Sequence, residues 1–287
     1  MCGSRLFCPS GTDELLAFLK GHDGPLSFVA GGTDWTIRRR ADGIPHGAAV
    51  VDLSGVSGFR GISIRDGWLR IGAMETMSAV AKDAGLMAAA RCLCEAAASV
   101  GLLQIRNSAT LGGNLANASP AADTPIALAA LDATAELLSP RGSRVLPVAE
   151  IPEGLNRTAL APDEAIAAFR IPLAPRRVSA FLKIGSRREV SIARLNIAAS
   201  LVSRGGGTSD ARVCIGTLGR AIRRAHAAEE ILNASGFDGS DDFCDALVDL
   251  VERAIPGRHS LPYKRSAMRA LGEDILAVLR RRVEAAE

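Results

Sequence analysis

The chain has 287 residues, of which 48% are hydrophobic and 4% aromatic, so it is long enough for two domains with sizeable cores. Its 34 basic and 31 acidic residues nearly balance, and the run Arg38–Arg40 is typical of a solvated helix face, which argues against nucleic-acid binding. No apolar stretch is long enough to span a bilayer and the N-terminus lacks a signal-peptide pattern, so we expect a cytoplasmic protein without a membrane span.

The cysteine and histidine pattern bears on metal binding. The chain has six cysteines and four histidines. No two cysteines form C-x-x-C, and no four have the spacing of a zinc or iron–sulfur site. We therefore expect free thiols and no metal held by this chain.

The first half of the chain alternates short helices and strands. The predicted elements are helix 12–20, strand 26–30, helix 34–40, strand 48–52, a hairpin over 61–73 and a helical pair over 76–100 that breaks near Gly85. Residues 104–120 show no sustained period and are rich in Asn, Ser, Thr and Gly. They predict a long loop, and such loops inside compact domains are usually functional.

The second half predicts strands followed by helices. The predicted elements are helix 124–131, strands 133–138, 144–148, 164–171, 179–185, 195–203 and 210–218, and helices 222–234, 241–255 and 264–284. Gly205–Gly207 predicts a hairpin turn, and Pro172–Pro175 is the best candidate for a domain boundary. This order favours an α+β fold with a separate C-terminal domain.

Two glycine-centred segments carry most of the functional information. The first reads Phe28, Val29, Ala30, Gly31, Gly32, Thr33, Asp34, Trp35, and the second reads Thr110, Leu111, Gly112, Gly113, Asn114. Neither matches a G-x-G-x-x-G dinucleotide fingerprint or a phosphate-binding P-loop. Taken alone, the glycine pair of each segment is equally consistent with a tight turn that binds nothing. Together they could hold opposite sides of one pyrophosphate, as in a dinucleotide such as FAD.

The chemistry of these segments suits a phosphate. Glycine lets a backbone approach an anion closely, and backbone N–H groups can bind its oxygens. We expect the amides of both segments to converge on the pyrophosphate, aided by the Thr33 hydroxyl and the Asn114 side chain. Asp34 is a candidate N-cap for the helix that follows.

Five motifs resemble the FAD-binding medium subunit of the molybdenum hydroxylases, the xanthine dehydrogenase family. They are Ala30–Asp34, Gln104–Asp123, Ile71-Gly72-Ala73 with Thr76, Phe181–Arg188, and Tyr263-Lys264-Arg265. Trp35 departs from the pattern, since many relatives have a smaller aliphatic residue there. The resemblance implies a two-lobed FAD-binding domain of the vanillyl-alcohol-oxidase (PCMH) type over 1–174, with lobes at about 1–55 and 56–174. A small α+β domain like that of CO dehydrogenase flavoproteins would follow over 175–287.

The resemblance also implies roles for individual residues. The two glycine segments would hold the pyrophosphate and the adjoining ribityl or ribose atoms of FAD. Val100 and Ile166 would make apolar contacts with the cofactor. Asp123 would accept hydrogen bonds from sugar hydroxyls or loop amides, or would cap the following helix, or both. Lys183 would stabilise negative charge on the flavin, unless it is a solvated strand residue. No catalytic acid or base is implied.

The function implied by the resemblance is electron transfer. This subunit would take electrons from the [2Fe–2S] clusters of a small subunit and pass them to NAD⁺ or another acceptor. Substrate hydroxylation would occur on a molybdopterin-binding large subunit. Two alternatives stay open: a stand-alone flavoprotein oxidase of the same fold, and a flavin-free subunit that only docks its partners.

Overall fold

The chain was analysed as a computed structural model that describes residues 6–41, 47–187, 190–205 and 207–286. In these ranges the strands are β1 (Leu6–Phe7), β2 (Leu26–Val29), β3 (Ala49–Asp52), β4 (Ile62–Arg65), β5 (Trp68–Gly72), β6 (Thr134–Ser139), β7 (Gly142–Pro147), β8 (Pro152–Gly154), β9 (Arg157–Thr158), β10 (Ala165–Pro172), β11 (Arg177–Gly185), β12 (Ala193–Arg204), β13 (Gly207–Gly216) and β14 (Arg223–Arg224). The α-helices there are α1 (Thr12–Lys20), α2 (Trp35–Arg40), α3 (Met77–Lys82), α4 (Ala84–Ala89), α5 (Arg91–Ala98), α6 (Leu103–Ser108), α7 (Leu111–Ala116), α8 (Thr124–Ala130), α9 (His226–Ser235), α10 (Ser240–Ala254) and α11 (Leu261–Glu284). This mixture of helices and largely antiparallel sheets confirms the α+β class.

The first lobe is a small parallel sheet with the strand order β1-β3-β2. Helix α1 packs on it because Leu15 and Leu19, one turn apart, present one buried face. Strand β2 ends at Val29, so the first glycine segment leaves the carboxyl end of a parallel strand. Loops at that end of a parallel sheet commonly form ligand crevices.

The second lobe is an antiparallel sheet in the order β4-β5-β10-β6-β7, covered by α3 to α8. The predicted helical pair broken near Gly85 is wrong: three short helices occupy this stretch. Thr76 and Asp83 start two of them, because their side-chain oxygens accept hydrogen bonds from the amides of Ala79 and Leu86. Gly85 itself lies within α4.

The predicted loop over 104–120 is also wrong in part, because α6 and α7 occupy much of it. Each has only six residues, too few to show a helical period in the sequence. Helix α7 begins at the second glycine segment, which therefore lies on a helix and not on an open loop.

The C-terminal part is the antiparallel sheet β11-β12-β13-β14 with α9 to α11 packed on one face. The predicted helix 222–234 starts later, because β14 comes first. Arg204 pairs with Gly207 across the predicted hairpin turn, and Gly206 lies outside the described residues. On the other sheet face, Phe181, Ala198 and Cys214 join the core of the second lobe. The Pro172–Pro175 segment comprises the last residue of β10 and most of the connection to β11, and the domain limits stay a prediction.

None of the described helices has both the length and the apolarity needed to cross a membrane.

Candidate functional site

A cleft of about 180 Å³ opens between the two lobes, and both glycine segments line it. This interlobe cleft is lined by Phe28, Ala30, Gly31, Gly32, Thr33, Asp34, Trp35, Arg38, Leu53, Ala73, Met74, Ala109, Thr110, Gly112, Gly113, Asn114, Ala116, Asn117, Leu160, Glu164, Ala165 and Ile166. The structure therefore brings together twelve of the predicted site residues from segments about eighty positions apart.

The first segment contacts the end of α6, two residues before the second segment begins. A Cβ atom placed on Gly31 would lie 1.8 Å from the carbonyl oxygen of Ser108, at the end of α6. A Cβ on Gly113 would lie 3.6 Å from the Cβ of Ala30. Gly31 therefore cannot carry a side chain unless the two backbones move apart.

The backbone amides of the first segment are available as donors. Within the described chain, the N–H groups of Gly31, Gly32, Thr33 and Asp34 make no hydrogen bond. Gly32 adopts a φ of +70°, which redirects the chain there at no steric cost to glycine. Trp35 is fixed beside them, since its indole N–H donates to Ser27 Oγ at 2.9 Å. Consecutive backbone amides without partners form a ready site for an anion.

Four of the five amides of the second segment, those of Leu111 to Asn114, are already hydrogen-bonded, which corrects the expectation that the glycine amides of this segment also donate to the anion. The reason is local: Thr110 is the N-cap of α7, and its neighbours bond to the turn that follows β5. The bonds are Leu111 N to Glu75 O (2.9 Å), Gly112 N to Ala73 O (2.8 Å), Gly113 N to Thr110 Oγ1 (3.1 Å) and Asn114 N to Thr110 O (2.9 Å). This segment can contribute side chains and close approach instead.

The Asn114 side chain is held in one orientation by Thr124. The hydroxyl of Thr124 donates to Asn114 Oδ1 at 2.7 Å, and Thr124 is fully buried. In the described structure this carboxamide oxygen is the only acceptor for that buried hydroxyl, so flipping the amide would leave a donor unsatisfied. This bond leaves the NH₂ group of Asn114, a residue of the cleft lining, without a hydrogen-bond partner among the described residues.

Charged residues also line the cleft, and sequence reasoning missed them. Glu164 is 4% exposed and accepts two hydrogen bonds from Arg144, at 2.7 and 2.6 Å. The Arg144 guanidinium holds the pKa of Glu164 below its ordinary value of 4.5. Arg38, interpreted from the sequence as part of a solvated helix face, lies in the lining instead. No local sequence signal marks either residue, because both partnerships are with distant parts of the chain.

The remaining missed residues of the lining are mostly small or apolar: Leu53, Ala73, Met74, Ala109, Ala116, Asn117, Leu160 and Ala165. Two of the sequence motifs could have identified four of these residues. Ala73 belongs to the Ile71-Gly72-Ala73 motif, and Ala109, Ala116 and Asn117 fall within the motif Gln104–Asp123.

Five predicted site residues lie outside the lining of the interlobe cleft: Val29, Val100, Leu111, Asp123 and Lys183. Leu111 is a fully buried core residue, and Val100 packs against the core of the second lobe. The contacts of these five with the cofactor stay predictions.

Asp123 and Lys183 form a shielded ion pair, with Lys183 Nζ 2.7 Å from Asp123 Oδ2. Lys183 also donates to the carbonyl oxygen of Ser99, and Asn196 donates to Asp123 Oδ1. Because its carboxylate is used this way, Asp123 does not cap α8, so that alternative is wrong. Asp34 likewise makes no cap hydrogen bond to α2.

The buried cysteines remain neutral thiols. Burial raises the pKa of Cys92, Cys94 and Cys214 to about 12. Protonated thiols are poor metal ligands and poor nucleophiles, so these groups add no chemistry to the cleft.

The donor set of the interlobe cleft fits a pyrophosphate. Four free amides, the Asn114 NH₂ group and the Arg38 guanidinium offer several donors to an anion with several acceptor oxygens. Apolar groups such as Phe28, Met74 and Ile166 line the same space. The cleft thus combines an anion site with an apolar surface, as a dinucleotide requires.

Comparison with known proteins agrees with this geometry. The family model described as the FAD binding domain in molybdopterin dehydrogenase matches residues 3–174. The chain is 34% identical over 213 residues to the xanthine dehydrogenase FAD-binding subunit of Escherichia coli O157:H7, covering 72% of each protein. It is 29% identical over 284 residues to the nicotinate dehydrogenase FAD-subunit of Eubacterium barkeri, covering 93% of each.

Among solved structures, a chain of the carbon monoxide dehydrogenase from Hydrogenophaga pseudoflava has the same fold. It superposes with a TM-score of 0.88 at 24% identity and covers 97% of this chain and 98% of its own. The shared architecture extends across both lobes and the C-terminal sheet.

Proposed function

Because the chain belongs to the family of FAD-binding domains in molybdopterin dehydrogenases, we propose that it is the FAD-carrying electron-transfer subunit of a multi-subunit molybdenum hydroxylase. FAD is its cofactor, and the protein is a component of an oxidoreductase. It takes electrons from [2Fe–2S] clusters of a small subunit and passes them to NAD⁺ or another acceptor. Substrate is hydroxylated on a molybdopterin-binding large subunit. A cytoplasmic location is part of this proposal.

The observation that carries the proposal is the set of four amides, Gly31 to Asp34, which make no hydrogen bond within the described chain and belong to residues that line the same cleft as the second glycine segment. These amides bind the pyrophosphate, and the Asn114 NH₂ group adds a donor whose direction Thr124 fixes. Phe28 and Ile166 exclude water from part of the same space. Bound FAD supplies the redox chemistry, since it can collect electrons singly and release them in pairs.

A partner interface is supported by an apolar surface beside the cleft. At α6, Leu102, Leu103 and Ile105 are 46%, 52% and 37% exposed. Ser108, which ends the same helix, contacts Gly31 of the first segment. Clustered exposed apolar residues commonly mark a protein interface. The relatives bear names such as FAD-subunit and medium chain, which fits a protein that works in a complex.

The first test is reconstitution of the purified chain with FAD. The proposal predicts one FAD per chain and a visible flavin spectrum, whereas a flavin-free docking subunit would give a featureless spectrum even with excess FAD. The stand-alone oxidase predicts that small substrates reduce the flavin without partners. The proposal instead predicts flavin reduction by substrate only when both the iron–sulfur and the molybdopterin subunits are present. Reduction that proceeds without the iron–sulfur subunit would contradict the electron route.

A further inference from the structure

Arg38 is the one cationic residue among the described residues that line the interlobe cleft. The two acidic residues of the lining are Asp34 and Glu164, and the charge of Glu164 is offset by its ion pair with Arg144. A flavin dinucleotide brings two negative charges on its pyrophosphate. Amides alone supply partial charges, so a full positive charge in this lining would strengthen binding in a low-dielectric cleft.

Contacts across the cleft hold the Arg38 guanidinium in place. Its Nη2 donates to the carbonyl oxygen of Asn117 at 3.2 Å and to Oδ1 of Asn156. Asn156 lies at the tip of the β8–β9 hairpin, in a left-handed conformation with φ +58°, and its own N–H donates to Ala118 O at 3.2 Å. Arg38 thus ties α2 of the first lobe to the second lobe, beside the second glycine segment.

Nη2 alone makes these contacts. Within the described chain, Nε and Nη1 of Arg38 have no hydrogen-bond partner. A guanidinium has five N–H donors in a rigid planar fork, so anchoring one nitrogen leaves the others oriented. Such preorganisation lowers the entropy lost when a ligand binds.

We propose that Arg38 binds a pyrophosphate oxygen of FAD through its remaining N–H groups, and that Asn117 and Asn156 hold it in position to do so. This inference rests on the proposed function. It assigns to Arg38 two tasks, neutralising phosphate charge and holding the lobes together over the cofactor.

The test measures FAD dissociation constants by fluorescence titration of the full-length apoprotein at several NaCl concentrations. For Arg38→Gln we expect about a tenfold or greater rise in Kd at low salt and a weaker salt dependence of log Kd. Arg38→Lys should retain the salt dependence with an intermediate Kd, because it keeps the charge but not the fork. Arg40→Gln, an exposed position on the same helix, is the matched control and should leave both quantities unchanged.

Asn156→Gly tests the positioning contact separately, because glycine retains the left-handed backbone and removes the side-chain acceptor. We expect a small rise in Kd with the wild-type salt dependence. The inference is overturned if Arg38→Gln and wild type share the same Kd and salt slope, or if Kd rises with an unchanged slope, which would mean a purely structural role. If the wild-type protein binds no FAD, the proposed function itself fails.

Discussion

Gly31→Ala is the most direct perturbation of the contact between the first glycine segment and Ser108, which ends α6 two residues before the second segment. The added Cβ would lie 1.8 Å from Ser108 O and 2.6 Å from the carbonyl carbon of the same residue. Real Cβ atoms do not approach closer than 3.0 Å, so the backbones of residues 31 and 108 must separate by about 1.2 Å. Gly31 does not have a positive φ, so the cost is steric and not conformational, about 1–3 kcal/mol of stability.

The consequence for the cofactor should be larger than that for folding. A shift of this size would break or lengthen two or more amide–phosphate hydrogen bonds. Each such bond to a charged group contributes about 1.5–3 kcal/mol, so we expect FAD affinity to fall by more than about a hundredfold.

The assay is fluorescence titration of the apoprotein with FAD, together with thermal unfolding of the apoprotein. Gly21→Ala is the matched control, since a Cβ there meets no atom closer than 3.6 Å and Gly21 has no positive φ. It should bind FAD normally. Gly32→Ala tests conformation alone: its Cβ would meet only ordinary contacts, but its φ is +70°. A Gly31→Ala protein that folds and binds FAD with wild-type affinity would refute the close approach of the first glycine segment to the end of α6.

Three further changes test other parts of the site. Gly113→Val should weaken FAD binding strongly, since its Cβ would lie 2.8 Å from Thr110 Oγ1 and displace the cap of α7; normal flavin occupancy would contradict this. Thr124→Val should weaken FAD binding by about tenfold or less with a small change in melting temperature, whereas Thr124→Ser should bind FAD normally. If Thr124→Val and the wild type bind FAD with equal affinity, the Thr124 hydroxyl does not orient Asn114 for binding. Glu164→Gln should lower the free energy of unfolding by only about 1 kcal/mol at neutral pH, because Arg144 is 47% exposed and solvent screens the ion pair. Since the ion pair lowers the pKa of Glu164, that stabilisation is present above about pH 4.5 and is lost as pH falls through the lowered pKa. Chemical denaturation of both proteins from about pH 7 to about pH 3, a range that brackets the ordinary carboxyl pKa of 4.5, should show the difference shrinking as the pH falls below that value, and a constant difference would exclude the ion pair as its source.

Much of the fold could be predicted from the sequence because its signals are local. The run Val50-Val51 predicts a buried strand, and it becomes β3 at the centre of the parallel sheet. The amphipathic spacing of Leu15 and Leu19 predicts α1. The glycine segments themselves were recognisable, because paired glycines beside an apolar run are unusual and have a clear chemical use.

The parts that sequence reasoning missed depend on contacts between distant residues. The amides of Leu111 and Gly112, in the first turn of α7, donate to the carbonyl oxygens of Glu75 and Ala73, more than thirty positions earlier in the chain. Asp123 is a suitable N-cap by sequence, but Lys183, sixty positions away, binds its carboxylate instead. Arg38 is one of three consecutive arginines, and its partners Asn117 and Asn156 are far from it in the sequence. Because these hydrogen bonds join residues that are far apart in the chain, they leave no periodic pattern in the sequence.

Residue-resolved hydrogen exchange, with and without FAD, measures directly which of the two glycine segments binds the pyrophosphate through its backbone amides. The account predicts that Gly31 to Asp34 exchange fast in the apoprotein and become strongly protected when FAD is added, because their N–H groups gain phosphate acceptors. The amides of Leu111 to Asn114 should be protected already and change little. Bound FAD with no added protection over Gly31 to Asp34 would contradict the account.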